Sequence, residues 1–159
     1  MTAFSDIYRR HSAEVFRFAL GLCGNRDWAE DLAAEAFARA LLSPAPVRGE
    51  TVRAYLFTIA RNLYLQQWHR ERRMAPLEDE HVQREPGPDV LAARREELNR
   101  TLAALQKLPE SDRVALLMYA EEELPYQAIA DALGISLAAV KVRIHRARIR
   151  LAQLMEETT

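Results

Sequence analysis

Apolar positions recur every three or four residues through most of the chain, and glycine, proline and capping residues divide them into seven helical segments. The first, Phe4–Leu22, brings Ile7, Val15, Phe18, Ala19 and Leu22 near one face. Gly24 breaks it. Asn25 caps a second segment over Asp27–Leu42, whose apolar positions are Leu32, Ala36, Phe37 and Ala40. "SPAPVRGE" (residues 43–50) then interrupts the pattern, and a third helix runs from a Thr51 cap to about Arg73. "MAPLEDEHVQREPGPDV" (residues 74–90) is acidic, proline-rich and aperiodic, which reads as a linker. Asp89 caps a fourth helix that Pro109 stops after Leu108, and "ESDRVALLMYAEEE" supplies a fifth. Pro125 opens the sixth, "PYQAIADAL", where a first helical turn tolerates proline. Gly134 ends it and Ser136 caps the seventh. Strand-like alternation is missing throughout. The pattern predicts an all-α fold of two small helical domains, residues 1–75 and 91–159, joined by a flexible linker at 76–90.

Composition sharpens this picture at a few points. Hydrophobic residues make up 49% of the 159, enough for real cores and against wholesale disorder. The single cysteine, Cys23, excludes an internal disulfide framework and reads as a small core residue. The opening "MTAFSDIYRRH" lacks the basic-then-apolar order of a secretory signal, and nothing apolar is long enough to span a bilayer. A cytoplasmic protein without membrane insertion is the expectation.

The formal net charge is only −1, yet the seventh helix is strongly cationic. At 100° per residue, Val140, Ile144, Ala147, Leu151 and Leu154 fall within roughly 40° of one direction, a stripe that faces a core. Lys141, His145 and Arg148 lie on one flank, and Arg143, Arg146 and Arg150 on the other. Between the flanks, opposite the stripe, stand Ala138, Val142 and Ile149, and no acid occurs from Ser136 to Met155. A solvated face ordinarily mixes both signs. Two cationic rails around an uncharged ridge suit a major groove, with phosphates on each side and base edges between. The preceding short helix and glycine turn complete a helix-turn-helix pattern; an ordinary helical hairpin with a basic surface is the plainer alternative.

The third helix gathers Val52, Ile59, Ala60, Leu63 and Gln67 on one face and Phe57, Tyr64 and Trp68 on another, with Arg61 and Arg72 beside the rings. Rings interleaved with arginines can stack unpaired bases. An aromatic stripe at this spacing is nevertheless more often core, and by composition alone the core reading weighs more. The second helix exposes Asp27, Glu30, Asp31 and Glu35, either as a solvated face or as a docking surface for a basic partner. The four histidines and Cys23 show no metal-ligand spacing, and no phosphate-cradling loop or nucleophile motif occurs. A non-enzyme without catalytic residues, metal or cofactor is expected.

In combination, these segments resemble a bacterial sigma factor of the small extracytoplasmic-function (ECF) group in the sigma-seventy family, over almost the whole chain. "AEDLAAEAFARAL" is similar to the region-two motif that docks on RNA polymerase, "RAYLFTIARNLYLQQWHRERR" to the helix that reads the −10 element, and "LPESDRVALLMYAEEELPYQAIADALGISLAAVKVRIHRARIRL" to region four, the −35 reader. The resemblance implies a region-two helical bundle followed by a region-four helix-turn-helix. It implies partners in RNA polymerase core (β′ clamp helices, β flap) and promoter DNA, and adds an anti-sigma protein as a candidate partner. It places Asp31 and Glu35 on polymerase with Asp27 and Glu30 nearby. Val47 and Arg48 fall in the loop that captures a flipped base, and Arg61, Asn62, Tyr64 and Trp68 lie at −10 DNA. Lys141, Val142 and His145 face −35 bases, while Arg143, Arg146, Arg148 and Arg150 line that DNA, with Arg143 and Arg146 expected at phosphates.

The chain departs from the family pattern in two places. Ala34 and Ala36 stand where Gln and Thr are frequent, so polymerase contacts are expected to be weaker or redistributed. Ala138-Ala139-Val140-Lys141-Val142-Arg143 replaces Gly-Thr-Val-Lys-Ser-Arg, so two hydroxyl donors are lost, though Val142 keeps an apolar surface for a thymine methyl. Near-neutral total charge would also limit non-specific DNA binding by the free protein. A dimeric helix-turn-helix regulator of duplex operators remains the alternative, and a helical protein-interaction module a third reading.

Overall fold

Leucine, alanine and arginine dominate segments bounded by residues that punctuate helices, and seven α-helices form among the described residues. The computed structural model describes residues 3–42, 51–74, 92–122 and 124–157. They are α1 (Ala3–Cys23), α2 (Arg26–Leu42), α3 (Thr51–Met74), α4 (Ala92–Gln106), α5 (Glu110–Glu122), α6 (Tyr126–Leu133) and α7 (Leu137–Glu157). Most of the expected linker, the loop bearing Val47 and Arg48, and the Asp89 cap lie outside the described residues.

The caps act as their side chains dictate. Asn25 Oδ1 accepts from the Trp28 amide at 2.8 Å, and Ser136 Oγ accepts from the Ala139 amide at 3.1 Å. Gly24 and Gly134 sit at φ 74° and 67°, the left-handed region in which a side chain is strained. The Gly134 amide and the Ile135 amide both reach the Ala130 carbonyl, closing the turn between α6 and α7. Pro125 precedes α6 at φ −56° without a side-chain cap, one residue outside the helix it was expected to open. α4 ends at Gln106 rather than Leu108, because the residue before a proline disfavours helical geometry.

In the first half, α1, α2 and α3 pack pairwise. Phe18 of α1 stacks on Phe57 of α3 with centroids 4.4 Å apart. Both rings are fully buried, each contributing about 1.5–3 kcal/mol of burial. α2 buries Ala29, Leu32, Ala33, Ala36 and Phe37, whose mostly small side chains let it lie close to its neighbours. In the second half, α7 buries Val140, Ile144, Ala147 and Leu154 against the rest of the bundle.

The two halves share a core. The run Val114–Met118 of α5 is buried on every side, with α7 on one flank and α1 on the other. α4 also packs on α1, and α6 on α3. The expected pair of helical bundles is present, and in this structure they are docked together rather than standing apart.

Candidate polymerase and promoter interfaces

α7 presents its faces as its periodicity requires. Lys141, His145, Arg146, Arg148 and Arg150 are exposed, Arg143 is half-buried, and the ridge is open to water, with Val142 55% and Ile149 49% accessible. Ser136 and Gly134 fix the start and angle of the helix, and the buried stripe fixes its rotation. The result is a convex basic surface with an apolar crest.

The cations on it are not equivalent. Arg146 Nη2 and Nε donate to Asp112 Oδ1 and Oδ2 at 2.7 and 2.8 Å. These hydrogen bonds and the adjacent negative charge raise the guanidinium's pKa further, so it is held as a cation. The counter-charge of Arg146 therefore comes from α5, 34 residues earlier. Arg148 lies over the Tyr119 ring at 5.0 Å, and Arg150 approaches Glu157 at 4.0 Å. Among the described residues no acid engages Lys141, Arg143 or His145.

α3 divides its aromatic residues. Phe57 is core. Tyr64 is buried beside Trp28, with centroids 5.1 Å apart, and Trp68 is half-buried beneath the Arg72 guanidinium at 4.3 Å. Trp28 also donates from Nε1 to Gln67 Oε1. Packing thus takes Phe57 and Tyr64, as the composition favoured, and leaves Trp68 at the edge. Asn62 is exposed. Arg61 is partly covered, held by Glu110 of α5 through Nη2 at 2.7 Å and Nε at 3.1 Å.

On α2, Asp27, Glu30, Asp31 and Glu35 are all exposed, opposite the buried alanines. Arg39 pairs with Glu35 at 3.3 Å, one turn on. Of the two positions that depart from the family pattern, Ala34 is exposed and Ala36 is fully buried, so only Ala34 stands on the acidic face.

Three side chains escaped the sequence reading: Asp112, Arg113 and Glu110, clustered at the start of α5. Their charge was visible. Each has a partner 34 to 91 residues away, which no local pattern reports. Cys23 is buried, donates from Sγ to the Asn25 carbonyl at 3.3 Å, and has its pKa pushed up to about 11 by burial. A cavity of about 110 Å³ between α1, α2 and α3 is lined by Phe4, Ile7, Leu41, Tyr55 and other apolar neighbours, and holds no titratable pair. Among the described residues no cluster of metal-ligating side chains occurs, and no helix is long and apolar enough to cross a membrane.

Comparison with known proteins matches this architecture. The family model for sigma-70 region 2 matches residues 7–74, and that for sigma-70 region 4 matches residues 98–151. The chain is 33% identical over 143 residues to the ECF RNA polymerase sigma factor EcfG of Rhodopseudomonas palustris, covering 87% of this chain and 77% of that one. It is also 33% identical over 156 residues to the ECF sigma factor SigE of Mycolicibacterium smegmatis, covering 95% of this chain but 61% of SigE. The solved structure of CnrH in complex with the cytosolic domain of CnrY is 26% identical and superposes with a TM-score of 0.73, over 99% of this chain and 90% of CnrH. The chain belongs to the sigma-70 family, in its ECF group. It carries the two regions of a promoter-directing sigma factor, which sets aside the reading as a dimeric operator-binding regulator. Sigma factors as a class are initiation factors rather than enzymes.

Proposed function

We propose that the chain is a dissociable subunit that joins RNA polymerase core through the acidic face of α2 and reads the promoter with α7 and α3, in two units spanning 1–75 and 91–159. The observation that carries this is the α7 surface: cations flank an exposed crest of Val142 and Ile149, while the only buried faces of the helix point inward. Set in a major groove, Lys141, Val142 and His145 meet base edges. Arg143, Arg148 and Arg150 meet phosphates, and Asp112 aims Arg146 toward the same backbone. Asp27, Glu30, Asp31 and Glu35 offer a negative patch to the β′ clamp helices. The β flap is the expected partner of the second unit. Val47, Arg48, Arg61, Asn62 and Trp68 serve the −10 element, and Tyr64, buried beside Trp28, supports that face from within the core.

No cofactor, metal or catalysis is assigned. Melting draws on polymerase contacts and trapped −10 bases rather than on a nucleotide, and the place of action is the cytoplasm. An anti-sigma protein is a fitting regulator, since a structural neighbour, the sigma factor RpoE of Bartonella quintana, is described in complex with the anti-sigma factor NepR.

Transcription reconstituted from sigma-free core polymerase, this chain and sheared genomic DNA tests the reading. Initiation at discrete start sites that require both proteins is expected. Its absence on every template overturns the assignment.

A further inference from the structure

α3 carries an exposed polar row of which the promoter reading uses only Asn62. Asn62, Gln66 and His69 lie within about 60° of arc around the helix, and all three are exposed. Leu56, Ala60, Leu63 and Tyr64 are buried on the opposite side. Arg70 stands on one flank of the row, and Arg61 and Arg72 stand on the other. An ordinary solvated face mixes acids among its cations, and from Arg61 to Arg70 there is none.

Neighbouring uncharged polar groups of α3 are spent within the protein. Thr58 Oγ donates to the Ala54 carbonyl at 2.7 Å, Gln67 Oε1 accepts from Trp28 Nε1, and the Tyr64 hydroxyl oxygen accepts from Arg113 Nη1 at 3.2 Å. Asn62 and Gln66 differ: among the described residues neither amide side chain has a partner. Each keeps a carbonyl acceptor and an NH2 donor side by side. Phe57 and Tyr64 are buried, and Trp68 lies off the row beneath Arg72. This face therefore offers hydrogen-bonding groups rather than a stacking surface.

The spacing suits base pairs. Four residues of α-helix put the two amides about 6 Å apart along the axis, against about 3.4 Å between successive base pairs. The amides therefore address different base pairs. In the major groove a carboxamide fits adenine by two bonds: its oxygen accepts from the N6 amino group while its nitrogen donates to N7. Cations flank an uncharged row here as they do on α7. The row on α7 is apolar, with Val142 and Ile149, and suits a methyl group; the row on α3 carries paired donors and acceptors, and suits adenine.

We propose that Gln66 is a specificity-determining residue, reading an adenine one or two base pairs from the position that Asn62 meets, on DNA still paired at the edge of the −10 element. This rests on the promoter reading for placing α3 against DNA; the choice of base follows from the amide itself.

The test uses holoenzyme assembled from core polymerase and the full-length chain, selecting from duplex promoters randomised across the −10 element, with the bound DNA sequenced. The unaltered protein should enrich adenine at the base pair in question. Gln66→Ala should remove that preference at one base pair alone, a loss of about 5- to 150-fold in discrimination, and leave the position read by Asn62 as it was. Gln66→Glu should move the preference to cytosine, whose N4 amino group donates to a carboxylate, a gain that unfolding cannot produce. Arg70→Ala should instead weaken every sequence alike and reduce the slope of log K against log salt by about 1. An unchanged profile with Gln66→Ala, or a loss spread evenly over all positions, overturns the role of Gln66 while the promoter reading stands. Adenine still preferred with Gln66→Glu does the same. Holoenzyme that selects no sequence at all overturns the promoter reading and this assignment with it.

Discussion

Asp112 and Arg146 form a two-pronged ion pair across the α5–α7 contact, with the carboxylate 2% exposed and the guanidinium open to water. The acid lies in the first turn of α5, where the helix dipole favours negative charge. One charge of the pair is therefore structural, and the other stands on the surface assigned to DNA.

The pair separates two arginines that look alike in sequence. Arg146→Ala strands a buried carboxylate and should lower the Tm by several degrees, whereas Arg143→Ala, which has no described acid partner, should leave the Tm within about a degree. Both should weaken promoter binding by the holoenzyme. Arg143→Ala should reduce the slope of log K against log salt by about 1, the signature of one lost phosphate contact. Differential scanning calorimetry and salt-titrated binding check the two halves of this prediction.

Asp31→Arg should abolish co-purification with core polymerase and leave thermal unfolding unchanged. The side chain is exposed, so its replacement falls among surface changes worth no more than about 0.5 kcal/mol. Retained co-purification would place polymerase on another face.

Gly134→Ala meets nothing within 4 Å, so its cost is purely conformational. At φ 67° a destabilisation of about 1 kcal/mol is expected, with Gly134→Asn milder because asparagine tolerates this region better. Denaturant titration of the two variants reads the difference.

Cys23, with its pKa pushed up to about 11 from an ordinary 9.0, should resist thiol reagents at pH 8 until the chain unfolds. The folded thiol holds its proton to higher pH than the unfolded one. Its contribution is therefore fully present below pH 9 and falls as pH rises toward 11. Comparison with Cys23→Ala across that interval isolates the effect from other groups that titrate there.

The helices were legible because their punctuation is local: Asn25, Gly134 and Ser136 each act within four residues of their own position. The faces of α7 were equally legible, since one periodicity sets both stripe and rails. α5 was harder. Its run Val114–Met118 is apolar all round, which signals burial on two sides without saying by what. That second side is α1, brought there by the docking of the halves. Arg113 misleads for the same reason, as an arginine that reads as surface and ends inside. Tyr64 and Phe57 share one spacing with Trp68, yet depth of packing decides which ring remains near solvent, and depth is a property of the assembled bundle.

The exposed crest of α7 has a colloidal consequence. Val142 and Ile149 form an oily strip that two copies of the chain would ordinarily press together to escape water. The cations on either side make that approach repulsive, acting as gatekeepers against self-association as well as hooks for a polyanion. Shielding by concentrated electrolyte removes this protection, so purified stocks should cluster at high ionic strength and disperse again on dilution.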